Sequence, residues 1–313
     1  MHRESTVPNI IGDSSPKPNL EFVAIYDELL SLVEANLASM PGKITDVVLN
    51  YLQVRGQQLA TIKQDLVPLF IYVGVSGRAY QDAIPLAACW ALCLAAAHLL
   101  DDAQDNGRML SANGAVAALG AANLILVNAR VAKDAMIDIL DAFSTVAVIG
   151  ANAQAAENKD RRVPSRTEYF QSIAGKAAVI IATGAWAGGR LATNNPDTLS
   201  LLKQFGSAWG MATQLSDDCQ DLAEDLANGL ITLPVIEGLS RVDHPHHSLL
   251  KKLVDKTDLD GQEIETVLTI LEEMESFVAC RRLIRAYQVQ AAAVFNTLPG
   301  IKPFFEAQDE FAI

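Results

Sequence analysis

Residues 98–105 read His98-Leu99-Leu100-Asp101-Asp102-Ala103-Gln104-Asp105, and they close a run, residues 83–100, that contains no charged side chain. Residues 214–221 repeat the form as Gln214-Leu215-Ser216-Asp217-Asp218-Cys219-Gln220-Asp221. Each is a DDxxD sequence at the end of an apolar stretch that reads as helix. On a helix, side chains four residues apart share a face and lie roughly 6 Å apart along the axis. Asp101 and Asp105 therefore point the same way with Asp102 beside them, and Asp217, Asp218 and Asp221 repeat the arrangement.

Massed carboxylates repel one another and resist burial. A single such cluster reads as a solvated acidic face. Two matching clusters, each following a stretch with almost no charge, read better as a pair of metal sites. Carboxylate oxygens suit Mg²⁺, which keeps several waters and completes its shell with substrate phosphate. The residues by themselves point to a paired Mg²⁺–diphosphate site.

Working outward, residues 83–100 are as long as the shortest membrane span. Pro85 and His98 lie within them, they end in carboxylates, and charges recur at helical spacing in the neighbouring segments. A central helix buried on all sides has the same signature, and it is the reading adopted. Apolar spacing is helical from Leu20 (Phe22, Ile25, Leu29, Leu30, Val33), breaks at Pro41-Gly42, and predicts helices near 43–60 and 62–74. Further helices are expected at 114–131, 134–157, 166–189, 198–222, 230–241, 246–256, 261–274 and 276–296. Residues 158–165 read as a loop whose Ser165 caps the next helix. No segment alternates like a strand. The expectation is one all-α domain over residues 21–313 behind a flexible leader, residues 1–20, rich in Pro, Gly and Ser.

The chain of 313 residues is 50% apolar, enough for a sizeable core, and carries a net charge of −13. It has no basic stripe, so nucleic acid is excluded as a partner. An anionic substrate needs local cations to invert that field. The four cysteines, Cys89, Cys93, Cys219 and Cys280, form neither a zinc spacing nor a disulfide framework, as for thiols in a reducing cytoplasm. The N-terminus lacks the pattern of a signal peptide. Asp243-His244-Pro245-His246-His247 reads as an exposed turn.

On these motifs the chain resembles the trans-isoprenyl diphosphate synthases and their terpene-synthase relatives. Beyond the two DDxxD sequences, Tyr169 and Lys176 in YFQSIAGKAA are similar to that family's Y…K-T helix. Phe205-Gly206, Gly210 and Gln214 precede the second cluster, and residues 225–234, DLANGLITLP, match D-L-x-x-G-K-x-T-L-P. The resemblance implies an antiparallel helical bundle around a deep central cavity, with the two clusters facing across its mouth and holding three Mg²⁺. The ions grip the diphosphate of an allylic prenyl substrate while its C–O bond breaks. Catalytic roles fall on Asp101, Asp105, Asp217, Lys176 and Gln214, and metal binding on all six aspartates. Lys176 adds a point charge to the diphosphate; Gln214 either orients the cation or a water, or satisfies a buried polar contact. The resemblance also implies a homodimer and no transmembrane segment.

The prenyl tail is expected to run past Cys93, Ala95, Ala96 and Ala97. Their small side chains leave room for about twenty carbons, unless they serve only close helix packing. Trp90, Trp186, Phe205 and Trp209 are either aromatic walls able to face a carbocation or ordinary core.

The chain also departs from the pattern. Chain-elongating members bind isopentenyl diphosphate with a basic G-K-x-x-R-P-like segment. Here Pro68 survives, but Gln64 and Val67 stand where the lysine and arginine belong, Lys63 is adjacent, and Asp65 has the wrong sign. One arginine, Arg108, follows the first cluster, and Leu230 replaces the lysine near the second. Each charge-assisted contact contributes on the order of 1.5–3 kcal/mol, so the metal-held diphosphate site is intact and the metal-free one degraded. That favours a class I terpene synthase acting on one preformed prenyl diphosphate. The alternatives are a chain-elongating prenyltransferase, prenyl transfer to another acceptor, a membrane-embedded aromatic prenyltransferase, and a silent partner subunit.

Overall fold

The computed structural model describes residues 22–156, 163–256 and 258–305, and no strand occurs among them. The expected leader, residues 1–20, and most of the 158–165 loop lie outside the described residues. Helices α1 (Phe22–Leu37), α2 (Lys43–Arg55), α3 (Leu59–Asp65) and α4 (Val67–Ser76) lead to α5 (Ile84–Asn106), the helix that carries the first acidic cluster. Then come α6 (Met109–Asn128), α7 (Lys133–Ala156), α8 (Arg166–Ile173), a π turn (Ala174–Ala178), α9 (Val179–Ala192) and α10 (Pro196–Gln220), which carries the second cluster. The chain closes with α11 (Leu222–Ala227), α12 (Leu233–Leu239), α13 (His247–Val254), α14 (Gly261–Glu273), α15 (Ser276–Ala292) and α16 (Lys302–Phe305).

The uncharged run is a buried helix. α5 packs against α1, α2, α3, α4, α6, α7 and α9, and Leu86, Ala87, Ala88, Trp90, Ala91, Leu92 and Ala95 are sealed from solvent. Gly107, at φ +65°, takes the left-handed conformation that ends α5 and reverses the chain into α6. By length and composition both α5 and α6 could cross a membrane; α5 is mostly buried among its neighbours, whereas α6 is less than half buried.

Small residues set the spacing of the bundle. A Cβ on Gly206 would lie 2.6 Å from the Ala182 Cα, and one on Gly210 would lie 2.7 Å from the Ala177 oxygen. Without them α10 could not lie against α9 and the π turn. Three hydrophobic clusters result. The main one unites α1–α7 with α9 and α10. A second joins Leu222, Leu226, Val235, Leu250, Val267, Leu271 and Met274 across α11–α14. The third (Tyr169, Ile173, Met211, Leu215, Ile236, Cys280, Ile284) links α8, α10, α12 and α15 beneath the second acidic cluster.

Three expected helices differ: the one expected near 62–74 is divided at Leu66 into α3 and α4. α6 begins at Met109 instead of residue 114, and the helix expected over 166–189 is interrupted by the π turn. Ser165 does cap α8: its Oγ accepts from the Glu168 amide at 3.2 Å, and the Glu168 carboxylate accepts from the Ser165 amide at 2.7 Å.

Candidate active site

A chain of contacts brings the ends of α5 and α10 to one end of the bundle. Gln154, near the end of α7, donates to Asp101. One residue back, the Ala153 Cβ lies 3.8 Å from where a Cβ on Gly175 would sit, so α7 rests on the π turn. The π turn in turn rests on α10 at Gly210. Lys176 occupies the middle of that turn, half-buried. Such one-turn widenings of a helix recur at functional sites because they re-aim a side chain.

Within each DDxxD the second aspartate is an anchor. Asp102 turns toward α6: its Oδ2 accepts from Ser111 at 2.6 Å, and its Oδ1 accepts from Asn106 at 2.9 Å and Arg108 at 3.1 Å. These bonds, Ser111 foremost, hold its pKa below the usual carboxylate range. Asp218 is buried, accepting from the Tyr169 hydroxyl and, at 2.8 Å, from the Gln214 amide. Gln214 thus makes the local polar contact that was one of its two expected roles. The side chain of Asp105 lies outside the described residues; its backbone continues α5.

Asp217 is reachable by solvent, although protein crowds one side of it. Burial first, then Asp221 and Asp218, raise its pKa to about 6. Asp225 extends the cluster by another turn. Its amide bonds the Asp221 carbonyl at 2.9 Å, and burial together with Asp218, Asp221 and Glu224 raises its pKa to about 7. Asp225 belonged to a recognised motif in the sequence, but its place in this cluster was not anticipated; its spacing of four from Asp221 was the available signal. Gln154 was missed as well, an amide within the alanine-rich end of α7.

Carboxylates crowded in this way suit a divalent cation, which would offset their mutual repulsion. Among the described residues no three carboxylate, imidazole or thiol groups form a complete ion site by themselves. Mg²⁺ takes one or two carboxylates and completes its shell with water and substrate phosphate, so incomplete protein sites fit an ion delivered together with a diphosphate.

Ala97 and His98 are exposed midway along the otherwise buried α5, and Cys93, a turn earlier, is half-buried. Cys93, Ala97 and Asp101 follow one another at four-residue spacing on one face of α5. His98 is solvent-accessible, yet surrounding protein and Arg55 lower its pKa to about 4; its ring lies 6.2 Å from that of Tyr51. Ala95 and Ala96 point into the core, which corrects the expectation for both. Trp90 lies lower on the helix as a crossbar. Its ring is 5.3 Å from that of Phe143 on α7, its Nε1 donates to the Gln64 carbonyl at 3.2 Å, and a Cβ on Gly184 of α9 would meet it at 2.8 Å.

The other aromatic residues lie elsewhere. Phe205 and Trp209 are buried in a cluster with Phe295 and Phe305 from the end of the chain, with Phe205 and Phe305 4.8 Å apart. They are core, because distant aromatic partners claim their faces. Trp186 lines a groove of about 380 Å³ between α7 and α9, under the Lys203 ammonium at 5.2 Å. A larger hollow of about 620 Å³ lies between α1 and the start of α5 and shares no residue with either acidic cluster. It is broad and open, and of the two carboxylates that line it, Asp27 and Glu28, the latter accepts from the Tyr80 hydroxyl at 2.7 Å.

The degraded basic segment has a structural counterpart. Asp65 is fully buried and takes two bonds from Arg55, at 2.6 and 3.0 Å, and one from Tyr26 at 2.9 Å. Burial works against that carboxylate; the three bonds work for it and keep Arg55 firmly protonated.

Residues 44–271 match the family profile described as polyprenyl synthetase. A short chain isoprenyl diphosphate synthase from Methanothermobacter thermautotrophicus is 25% identical over 142 residues, which are 42% of this chain and 43% of that relative. A solanesyl-diphosphate synthase from Oryza sativa is 24% identical over 64% of this chain and 50% of its own length. The chain thus spans half or less of these relatives. Among solved structures, a geranylgeranyl pyrophosphate synthetase from Geoglobus acetivorans superposes with a TM-score of 0.79 at 17% identity, covering 92% of this chain and 98% of that one. At that identity the likeness shows the fold.

Proposed function

This chain belongs to the polyprenyl synthetase family, and from that premise we propose that it is a Mg²⁺-dependent prenyltransferase that lengthens an allylic prenyl diphosphate with isopentenyl diphosphate. What supports the reading is the way neighbouring helices hold both DDxxD segments: Asp101 accepts from Gln154 of α7, Asp102 from Ser111 of α6, and Asp218 from Tyr169 of α8. The relatives are named as isoprenyl diphosphate synthases, so chain elongation, which the sequence placed second, comes first. The terpene-synthase reading, ionisation of one diphosphate without lengthening, stays as the second because Asp65 neutralises Arg55 beside the degraded segment.

Asp101, Asp217 and Asp221 would hold Mg²⁺, three ions on the resemblance, with Asp225 adding negative charge behind them. When bound, Mg²⁺ neutralises the charge that builds on the departing diphosphate. Lys176 places a further positive charge at the same end. Asp102 and Asp218 fix the two helix ends, so that the ligating carboxylates are positioned before substrate arrives. The prenyl tail runs along Ala97 and Cys93 toward Trp90, which sets the twenty-carbon limit.

The apolar residues exposed on α6 (Met109, Val116, Leu124 and Val127) and on neighbouring α7 (Ile137, Val148) support a homodimer through this face. Sedimentation of Val116→Asp as a monomer against a wild-type dimer would support it; a wild-type monomer would remove it.

The deciding experiment incubates the protein with Mg²⁺ and farnesyl diphosphate, with and without isopentenyl diphosphate. Products five carbons longer, formed only with isopentenyl diphosphate, support elongation. Hydrocarbon or alcohol formed without it supports the second reading. Diphosphate release undiminished in both Asp101→Asn and Asp217→Asn would remove the metal site from either.

A further inference from the structure

Arg166 opens α8, and Glu237 sits in α12, whose other residues carry no charge. A cation in the first turn of a helix opposes the positive end of its dipole, and a carboxylate within an apolar helix resists burial. Each is accounted for by the other, because Arg166 Nη1 lies 2.6 Å from Glu237 Oε1. Glu237 is buried, while Arg166 reaches solvent. No described hydrogen-bond donor is aligned with Glu237 Oε1, so the charge of the guanidinium is what offsets its burial. Neither residue belongs to the two acidic clusters.

The pair stands at one end of a line of contacts that finishes at the second acidic cluster. α8 packs against α12 and against the π turn that follows it. The Arg166 guanidinium lies 5.6 Å from the centre of the Phe170 ring, one turn on, and the Phe170 and Tyr169 rings meet edge to face at 5.4 Å. Tyr169 then donates to Asp218. Tyr169 and Ile173 also share a hydrophobic cluster with Ile236, the neighbour of Glu237. We propose that Arg166 and Glu237 are positioning residues: their ion pair holds α8 against α12, keeps the Tyr169 hydroxyl on Asp218, and so sets the second acidic cluster for its ligand. The inference rests on the reading of that cluster as the Mg²⁺–diphosphate site.

α8 has eight residues, and a helix that short has little stability of its own. Without the ion pair it keeps its apolar contacts, but these carry no direction. Asp218 then has Gln214 as its remaining firm donor, and the turn of α10 that carries Asp217, Asp218 and Asp221 loses its tie to α8. A misplacement of about 1 Å in a reacting constellation costs as much as 10²-fold. Removing Arg166 also takes an unfavourable charge from the first turn of α8, so the loss does not come from unwinding that helix.

The test measures the affinity of the full chain for inorganic pyrophosphate in the presence of Mg²⁺, by calorimetry, in Arg166→Met, in Tyr169→Phe and in the two combined. Residues that act through one contact are not additive, so Arg166→Met should cost about tenfold in the wild-type background and less than about twofold in the Tyr169→Phe background. A merely structural role gives the same loss in both backgrounds, and that result overturns the proposal, as does wild-type affinity in Arg166→Met. The single variant strands a buried carboxylate; where it fails to fold, Arg166→Met combined with Glu237→Leu takes its place, since no buried charge is then left unpaired. The same loss is expected there, and wild-type affinity overturns the proposal. If the wild-type protein binds no pyrophosphate, the site reading and the positioning fall together; if it binds and the losses add, the positioning alone falls.

Discussion

Trp90→Ala should lengthen the product. Between Trp90 and Asp101 the helix advances eleven residues, about 16 Å at 1.5 Å per residue. An extended chain gains about 1.2 Å per bond, so a five-carbon unit with four bonds in line spans about 5 Å. On the proposed function, a channel along this face from the aspartates to the indole would hold about three units below the one at the aspartates, about twenty carbons in all. The indole is wedged between Phe143 and Gly184 and hydrogen-bonded to Gln64, so it cannot swing aside. Removing it opens about one further unit. The substitution also leaves a core cavity costing roughly 3–5 kcal/mol, so Trp90→Leu serves as the milder companion. The assay supplies Mg²⁺, farnesyl diphosphate and excess isopentenyl diphosphate and resolves products by mass spectrometry. Wild type should stop at twenty carbons and the variants at twenty-five or beyond. Folded variants with the wild-type product distribution would refute the floor.

If elongation is correct, isopentenyl diphosphate lacks the contacts expected at Gln64 and Val67; at about 1.5–3 kcal/mol each, its KM should exceed that of the allylic substrate by about 10²-fold or more, and equal KM values in steady-state kinetics would contradict this. Asp217 and Asp225 have pKa values raised to about 6 and about 7, so the folded protein binds protons more tightly than the unfolded chain. Without divalent ions, thermal stability should therefore fall as pH rises from about 4 toward 7, and added Mg²⁺ with pyrophosphate should restore most above pH 7; a stabilisation independent of pH would count against the cluster. Gly210→Ala sets a methyl 2.7 Å from a backbone oxygen of the π turn and should cost about 1–3 kcal/mol in denaturant unfolding. Asp65→Leu strands a buried Arg55 and should cost about 3–5 kcal/mol; an unchanged unfolding midpoint would show that the pair is not buried in solution.

The sequence made the bundle legible because its signals were local. Uncharged residues ending on carboxylates, apolar residues at helical spacing and Ser165 ahead of Glu168 are each read within a few positions. The π turn was not legible, because Ala174-Gly175-Lys176-Ala177-Ala178 continues the same small-residue pattern whichever way its carbonyls bond. Ala96 and Ala97 differ by one residue, which on a helix is about 100° of rotation, and only the neighbours of α5 decide which of them faces the cleft. The aromatic residues failed for a related reason. Phe205 and Trp209 are claimed by Phe295 and Phe305, remote in sequence, and nothing near α10 announces them. The anchoring of Asp102 and Asp218 likewise depends on Ser111 and Tyr169, which lie on other helices.

The two readings of the chemistry meet at Asp65. A fully buried carboxylate cannot stand unpaired, and Arg55 with Tyr26 satisfies it. The departure at the basic segment therefore removes more than the two cations missing at Gln64 and Val67, because the guanidinium that stands nearby is already committed. Arg108 is held at the rim by Asp102, on the side of α5 that turns toward α6. Lys176, half-buried in the π turn, is a further cation beside whatever ions the aspartates would hold. On the proposed function, such a protein would recognise its allylic diphosphate strongly and a second diphosphate weakly. Elongation would then use a second substrate that the commitment of Arg55 to Asp65 leaves without that cation.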